Sequence, residues 1–421
     1  MIYKVETIQP LEGNIISLDK SNILKFKINN DKIQPSSICL QFNDSGIVGE
    51  LLTTFSRYVD FLPFIDRIRV YDEENNNSVF FDCDAIDKYS KLHGPLTKDF
   101  NNNDLQNGFL QPSQRTVLNG VDSQSTQDPL MPYDITIANS LINSISNNAY
   151  YKKFPGFKYS SQVGGGLAVT YFRINLKDLI PDSIFGINKF IYLKNYIIEI
   201  TFFNHTNIYS QNDDDPVNAL IYQGDATALK LKNICLKFNT CVSNDVLEID
   251  ERFELDFFET KHFTDNTIYL NNILNNTDTL TKVIFGYLKK DVGSLLDYMS
   301  NTLYFDNNPQ TINSYSIFYN GDLIKSCNRL LGEDFHDILG IVNKNNTSII
   351  NYDIFKVFTT FVLIFADNIN SKQIKGITLN HKNNNLLRFE YNTDITDKFD
   401  YFISIHKKYV IINGKIYKDK I

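Results

Sequence analysis

Two aspartates, Asp82 and Asp84, flank Cys83 after the apolar run Val79-Phe-Phe81. Carboxylates at i, i+2 on a strand share a face. A close pair of that kind is what glycoside hydrolysis uses as acid and base. Nothing in the spacing marks which of the two would be the acid, and a solvated strand end accounts for both. Asp213-Asp-Asp215, before Pro216, offers oxygen ligands for Ca²⁺ but lacks the spaced ligands and terminal Glu of a calcium loop. An acidic turn is the simpler reading. Glu333, His336 and Asp337 would neighbour one another on a helix; without a second His or a Cys close by, no metal site is expected there. Gly164-Gly-Gly166 precedes a strand pattern and has no following Lys-Ser/Thr, so it reads as a turn or hinge and not as a phosphate loop. The six histidines (His93, His205, His262, His336, His381 and His406) show no HxH or HExxH spacing. No GxSxG elbow accompanies them. The sequence therefore nominates no catalytic, cofactor-binding or metal-ligating residue, and the expectation is a protein that is not an enzyme.

The 421-residue chain carries 41 Lys and Arg against 49 Asp and Glu, a formal charge of −8. The acidic residues are scattered and no basic footprint for a phosphate backbone exists, so direct sequence-specific nucleic-acid binding is not expected. Hydrophobic residues make up 43% and charged residues 21%, proportions that suit a globular chain and not a disordered one. Apolar runs such as Phe361-Val-Leu-Ile-Phe365 fall far short of the roughly 18 residues of a spanning helix. The opening MIYKVETIQPLEG lacks the basic-then-apolar layout of a secretion signal. Five cysteines, Cys39, Cys83, Cys235, Cys241 and Cys327, form no CxxC. An odd, dispersed set reads as reduced, buried thiols of an intracellular compartment. Asn-rich clusters such as Asn101-Asn-Asn103 mark loops, and in so Asn-rich a chain glycosylation sequons arise by chance.

The elements that must position any site come from period-two alternation. Leu24, Phe26 and Ile28 alternate with Lys25 and Lys27; Ile38, Leu40 and Phe42 with Cys39 and Gln41; Ile198, Ile200 and Phe202 with Glu199 and Thr201. The same pattern recurs around Ile68–Tyr71, Ile234–Phe238, Phe253–Phe257, Tyr315–Tyr319 and Leu387–Tyr391. Strands are also expected over Leu167–Leu176, Tyr401–Ile405 and Tyr409–Ile412, with turns at Asn320-Gly321 and Asn413-Gly414. Such strands have one dry and one wet face. Helical spacing is confined to Asp84–Leu92, Asp291–Leu303 and Arg329–Val342. The expected fold is all-β: each half holds about eight strands with long, polar connections and few short helices, which fits two sandwich or jelly-roll domains. The first should occupy residues 1–245 and the second 246–421, with the junction in Val242–Arg252. A long Asn-, Ser- and Pro-rich connection, His93–Val163, should project from the first as a loop or partner-binding arm.

Several segments, in order, resemble the double jelly-roll major capsid proteins of tailless icosahedral DNA viruses, a group that includes virophages, adintoviruses, polinton-like viruses and the nucleocytoplasmic large DNA viruses. Phe64-Ile-Asp-Arg-Ile-Arg-Val-Tyr71 followed by Val79–Asp84 resembles an early strand pair of the first barrel. Tyr171–Leu176, Ile180–Gly186 and Phe190–Phe202 resemble the block that closes it. Leu231–Phe238 and Phe253–Glu259 resemble the strands on either side of the crossover; Ser316–Gly321, Thr360–Asp367 and Val410–Gly414 resemble later segments of the second barrel. The chain is short for that family and has no Trp. The resemblance implies two tandem eight-stranded antiparallel jelly rolls with a few short helices and long loops, and a homotrimer forming a pseudo-hexagonal capsomer of an icosahedral shell. Its implied partners are neighbouring capsomers, penton and minor capsid proteins and an internal membrane, and its implied location is the virion. A double jelly-roll scaffold or minor shell protein is the alternative. A carbohydrate-binding jelly roll is disfavoured by the missing Trp.

Overall fold

The computed structural model describes residues 3–17, 22–29, 31–45, 65–74, 78–86, 89, 157–161, 169–202, 209–210, 222–223, 230–241, 252–265, 280–288, 312–328, 360–366, 374–379, 387–393 and 399–418. Alternation becomes strand throughout these segments. In the first part of the chain the strands are β1 (Tyr3–Ile8), β2 (Ile15–Ser17), β3 (Ile23–Ile28), β4 (Asp31–Ile33), β5 (Cys39–Ser45), β6 (Ile65–Asp72) and β7 (Val79–Cys83). Next come β8 (Phe157–Ser161), β9 (Val169–Asn175), β10 (Ile191–Leu193), β11 (Tyr196–Phe202), β12 (Tyr209–Ser210), β13 (Tyr222–Gln223) and β14 (Lys230–Cys241). The remainder are β15 (Arg252–Asp265), β16 (Leu280–Leu288), β17 (Ile312–Tyr319), β18 (Asp322–Asn328), β19 (Thr360–Ile364), β20 (Ile377–Thr378), β21 (Leu387–Thr393), β22 (Phe399–Ile412) and β23 (Lys415–Lys418).

The chain divides into two compact units that do not follow chain order as two blocks. One comprises Met1–Ser90, Asn101–Glu259 and Lys408–Ile421, the other Lys91–Phe100 and Thr260–Lys407. Both dividing points, after Glu259 and before Lys408, fall inside long strands.

In the first unit an eight-stranded sheet runs β10-β4-β14-β5-β9-β8, with β1 and β2 also paired to β14. A four-stranded sheet, β3-β11-β6-β7, makes the second layer. Their inner faces meet: Phe42 of β5 and Phe202 of β11 touch edge to face with ring centroids 5.8 Å apart. Leu24, Phe26 and Ile28 are buried on β3, while Lys25 and Lys27 between them remain half-exposed. Each fully buried Leu, Ile or Phe contributes about 1.5–3 kcal/mol relative to exposure, so this face holds the sheet in one register. The two layers are unequal, against the expected eight strands in all. The reason is β14: twelve residues are long enough for one flank to pair β1 over Leu236–Cys241 and β2 over Lys230–Lys232.

The described strands later in the chain form a sheet β15-β22-β16-β19, with β20 on β16 and β23 on β22, and a sheet β18-β17-β21. In the second unit, Ile284, Leu363, Tyr401, Ile403 and Ile405 pack with Tyr315, Ile317, Cys327 and Leu387 in one buried cluster. This is again sheet against sheet.

Four differences from the sequence reading stand out. Residues 157–161, inside the expected connection His93–Val163, form β8 along β9, with Phe157 opposite Arg173. Expected strands Tyr401–Ile405 and Tyr409–Ile412 are one fourteen-residue strand, because the backbone stays extended through the half-buried Lys407 and Lys408. The expected strand Leu167–Leu176 is β9, and Leu176–Leu179 closes it as a helical turn. The pairing of β12 with β13, Tyr209 opposite Tyr222, is parallel although antiparallel pairing was expected throughout. Of Asp84–Leu92, the described part shows the single helical bond Tyr89 N–H to Ala85 O, 3.0 Å. The expected helices Asp291–Leu303 and Arg329–Val342 lie outside the described residues, as do residues 93–156 and 242–251.

Candidate functional site

Strand register turns isolated charges into a row. Across β3, β11, β6 and β7, Lys25 stands opposite Glu199, Glu199 opposite Arg69, and Arg69 opposite Asp82. Signs alternate along the row, so every cross-strand neighbour attracts. Arg69 Nη1 lies 3.2 Å from Glu199 Oε1, and the Tyr71 hydroxyl donates to Glu199 Oε2 at 3.0 Å. Arg67 grips Asp82 with two bonds, Nε to Oδ1 at 2.7 Å and Nη2 to Oδ2 at 2.6 Å. The Asp82 amide donates to Glu259 Oε1 at 3.0 Å. Lys27 closes the margin by pairing Glu73 at 2.7 Å.

This geometry answers the question raised by Asp82 and Asp84. Asp82 is held by a bidentate guanidinium, a charge-assisted bond that fixes position. It is an anchor between β6 and β7. The hydrogen bond to Asp82 raises the Arg67 pKa against the opposing effect of burial. Burial, then the Glu199 charge, pushes the Tyr71 phenol up to about 12, so its proton stays on the hydroxyl that Glu199 accepts from. Beside Asp84, Ala85 adopts a φ of +49°, left-handed backbone that costs a residue with a Cβ about 1–2 kcal/mol. It lies where β7 ends and the chain turns into the Tyr89–Ala85 bond.

The other sequence candidates are not brought together. Gly164–Gly166, Asp213–Asp215, Glu333, His336 and Asp337 lie outside the described residues, as do His93, His205 and His381. His262, on β15, stacks against Phe402 with centroids 4.9 Å apart, and His406 is buried on β22. Among the described residues no group of three or more His, Cys, Asp or Glu is placed to hold a metal ion. No cysteine is joined in a disulfide. Cys39, Cys83 and Cys327 are buried, but Cys235 and Cys241 are only half-buried, because they lie on the face of β14 opposite Leu236 and Phe238. That corrects the expectation of five buried thiols.

Sequence reasoning missed the return of the chain's last strands to the first unit. The Asn413-Gly414 turn joins β22 to β23, and Lys194 N–H donates to Gly414 O at 3.0 Å. Ile416 N–H donates to the Tyr196 hydroxyl at 2.7 Å. Lys415 Nζ sits 3.1 Å from both oxygens of Asp72 and 3.1 Å from Glu74 Oε2. Hydrogen bonding to Lys415 draws the Glu74 carboxyl below its ordinary range. A Lys-rich tail gives no hint of these partners, which are some 220–340 positions away in sequence.

Exposed apolar side chains mark two further places. On β1, Tyr3 and Val5 are 60% and 59% exposed; at the start of β18, Leu323 and Ile324 are 56% and 51% exposed. The described geometry thus contains charged anchors, a docked hairpin and exposed apolar positions.

No protein-family model matches this sequence, and no curated protein does. Solved structures match in fold. PBCV-1 VP54, a crystal structure fitted into a cryo-EM reconstruction of the virophage Sputnik, is 10% identical, with 100% of this chain and 97% of that chain covered and a TM-score of 0.55. A chain of the PBCV-1 virus capsid in a quasi-atomic model is 9% identical over 100% of this chain and 97% of its own, with a TM-score of 0.52. A chain of the cryo-EM structure of the Sputnik virophage is 11% identical over 99% and 88%, with a TM-score of 0.51. At identities this low the likeness is one of architecture: the chain has the double jelly-roll fold.

Proposed function

We propose, from this shared fold, that the protein is a structural subunit of an icosahedral virus shell. Three copies would form a pseudo-hexagonal capsomer. Two like-built barrels per chain place six similar lobes around a threefold axis, and such a ring tiles a flat facet. We take the barrels as residues 1–245 and 246–421. Its neighbours would be further capsomers, penton and minor capsid proteins and an internal membrane, and its place the virion. Residues 93–156 would supply outer projections or intersubunit arms. The reading assigns no reaction to the chain.

One observation carries this reading: the fold likeness extends over 100% of this chain and 97% of VP54, so both barrels and their connection are matched together. The charge row and the docked hairpin agree with it, since both stiffen a body whose task is shape. Light scattering of the purified protein tests it, together with negative-stain images. The expected result is a trimer seen as a six-lobed ring with threefold symmetry. A monomer at micromolar concentration would overturn it.

A further inference from the structure

We infer that the outer edge of β1 is a docking edge for a second copy of this chain, paired antiparallel about a twofold axis through Val5. Among the described residues β1 pairs with β14 alone, so one edge of a six-residue strand presents its backbone groups outward. Proteins ordinarily blunt such an edge, because it templates pairing with another chain. Here Tyr3, Val5 and Thr7 share one face and all three are exposed. Lys4 and Glu6 share the other and form an ion pair along the strand.

Register decides the occupant. Centred on Val5, an antiparallel pair sets Val5 against Val5 of the second copy, Tyr3 against Thr7, and Lys4 against Glu6. Symmetry repeats the last two contacts. One face then gathers Tyr3, Val5 and Thr7 of both copies, and the other carries four charges of alternating sign. Centring on Lys4 or on Glu6 sets like charges opposite each other, which destabilises a strand pair. Shifting by half a step sets Val5 against a charge. Parallel in-register pairing also stacks like charges. The strand is thus complementary to itself in one arrangement, the condition for an isologous twofold contact.

The inference rests on the shell reading only for where the contact acts. A twofold axis cannot lie within a threefold trimer, so the edge would join neighbouring capsomers. One strand pair is a weak contact, and repetition across a shell multiplies it.

Oxidative cross-linking of the full chain tests the register. Cα atoms directly opposite across an antiparallel pair lie roughly 4.5–5.5 Å apart, within disulfide reach. In a Cys241→Ser background, which removes the native thiol directly opposite Tyr3 on β14, Val5→Cys should therefore give a covalent dimer well above the parent background, and Tyr3→Cys alone should not. An equal mixture of Tyr3→Cys and Thr7→Cys should cross-link. Adding Lys4→Glu to Val5→Cys should lower dimer yield roughly tenfold, since two symmetric attractions become repulsions. The further change Glu6→Lys should restore it. No dimer from Val5→Cys above the parent, or no rescue by the charge swap, overturns the inference. A trimeric protein in which Val5→Cys gives no cross-link would refute this edge and leave the shell reading standing. A cross-linked dimer of a protein that is otherwise monomeric would support the edge and overturn the shell.

Discussion

Replacing Gly414 by Ala should cost far more than replacing Gly321 by Ala, although both glycines end the same two-residue turn. Asn320 and Gly321 have φ of 54° and 90°; Asn413 and Gly414 have 50° and 81°. These are the positive angles that a tight hairpin of twisted strands requires. At both sites a side chain meets the same backbone penalty, about 1 kcal/mol. The surroundings differ. A Cβ on Gly321 would find nothing within 4 Å, whereas one on Gly414 would lie 2.7 Å from Tyr192 Cε1 and 2.9 Å from both Tyr192 Cδ1 and Lys194 Cβ. Lys194 N–H is bonded to Gly414 O, so the backbone cannot simply slide away. Overpacking of that kind adds about 1–3 kcal/mol. Gly321→Ala should therefore lose about 1 kcal/mol and Gly414→Ala about 2–4 kcal/mol. Urea unfolding measures the totals, and amide exchange at Lys415–Lys418 locates the second loss at the hairpin. Adding Tyr192→Ala to Gly414→Ala should recover part of it. Equal costs for the two glycines, or no coupling to Tyr192, would refute the docking of this hairpin on the first unit.

Two further perturbations probe the charge row. Glu199→Ala leaves the buried Tyr71 hydroxyl without its acceptor and the Arg69 guanidinium with only Asp82, 4.0 Å away, and should cost about 2–4 kcal/mol. Glu199→Gln, which still accepts from Tyr71, should cost less, and Arg67→Ala, at a side chain 41% exposed, less than about 1 kcal/mol in thermal unfolding. A Glu199→Ala protein as stable as wild type would remove the row as a structural element. Raising pH should also weaken the fold. Burial lifts the phenols of Tyr71 and Tyr409 from 10 to about 12. A folded-state value above the unfolded one means the contribution is complete below pH 10 and declines as pH rises through about 12. Urea midpoints measured across that interval should fall, and a Tyr71→Phe, Tyr409→Phe protein should show a shallower fall.

Strand positions were legible because alternation is a local consequence of half-burial. Leu24, Phe26 and Ile28 against Lys25 and Lys27 identify β3 without knowledge of its neighbours, and the dipeptides Asn320-Gly321 and Asn413-Gly414 identify turns by the backbone angles they tolerate. Position β8 was not legible. Phe157-Lys-Tyr-Ser-Ser161 lies in a polar connection, and its pairing with β9 is made by backbone groups that carry no residue code. The fate of Asp82 was equally hidden. Its i, i+2 relation to Asp84 was visible, but the guanidinium that holds it lies 15 positions earlier on another strand.

Residue order alone settles which segments extend, where they reverse and which of their faces is greasy, since those follow from side-chain period and from the few residues that accept positive φ. Pairing between distant strands needed the folded body. Lys25, Glu199, Arg69 and Asp82 become neighbours only when three registers are set together, and each register is chosen by apolar burial on the opposite face of the same sheet. Likewise Lys415 meets Asp72, and Ile416 meets Tyr196, because the chain's end is carried back across hundreds of positions. Contact energies depend on distance in space, and a linear sequence records only distance along the chain.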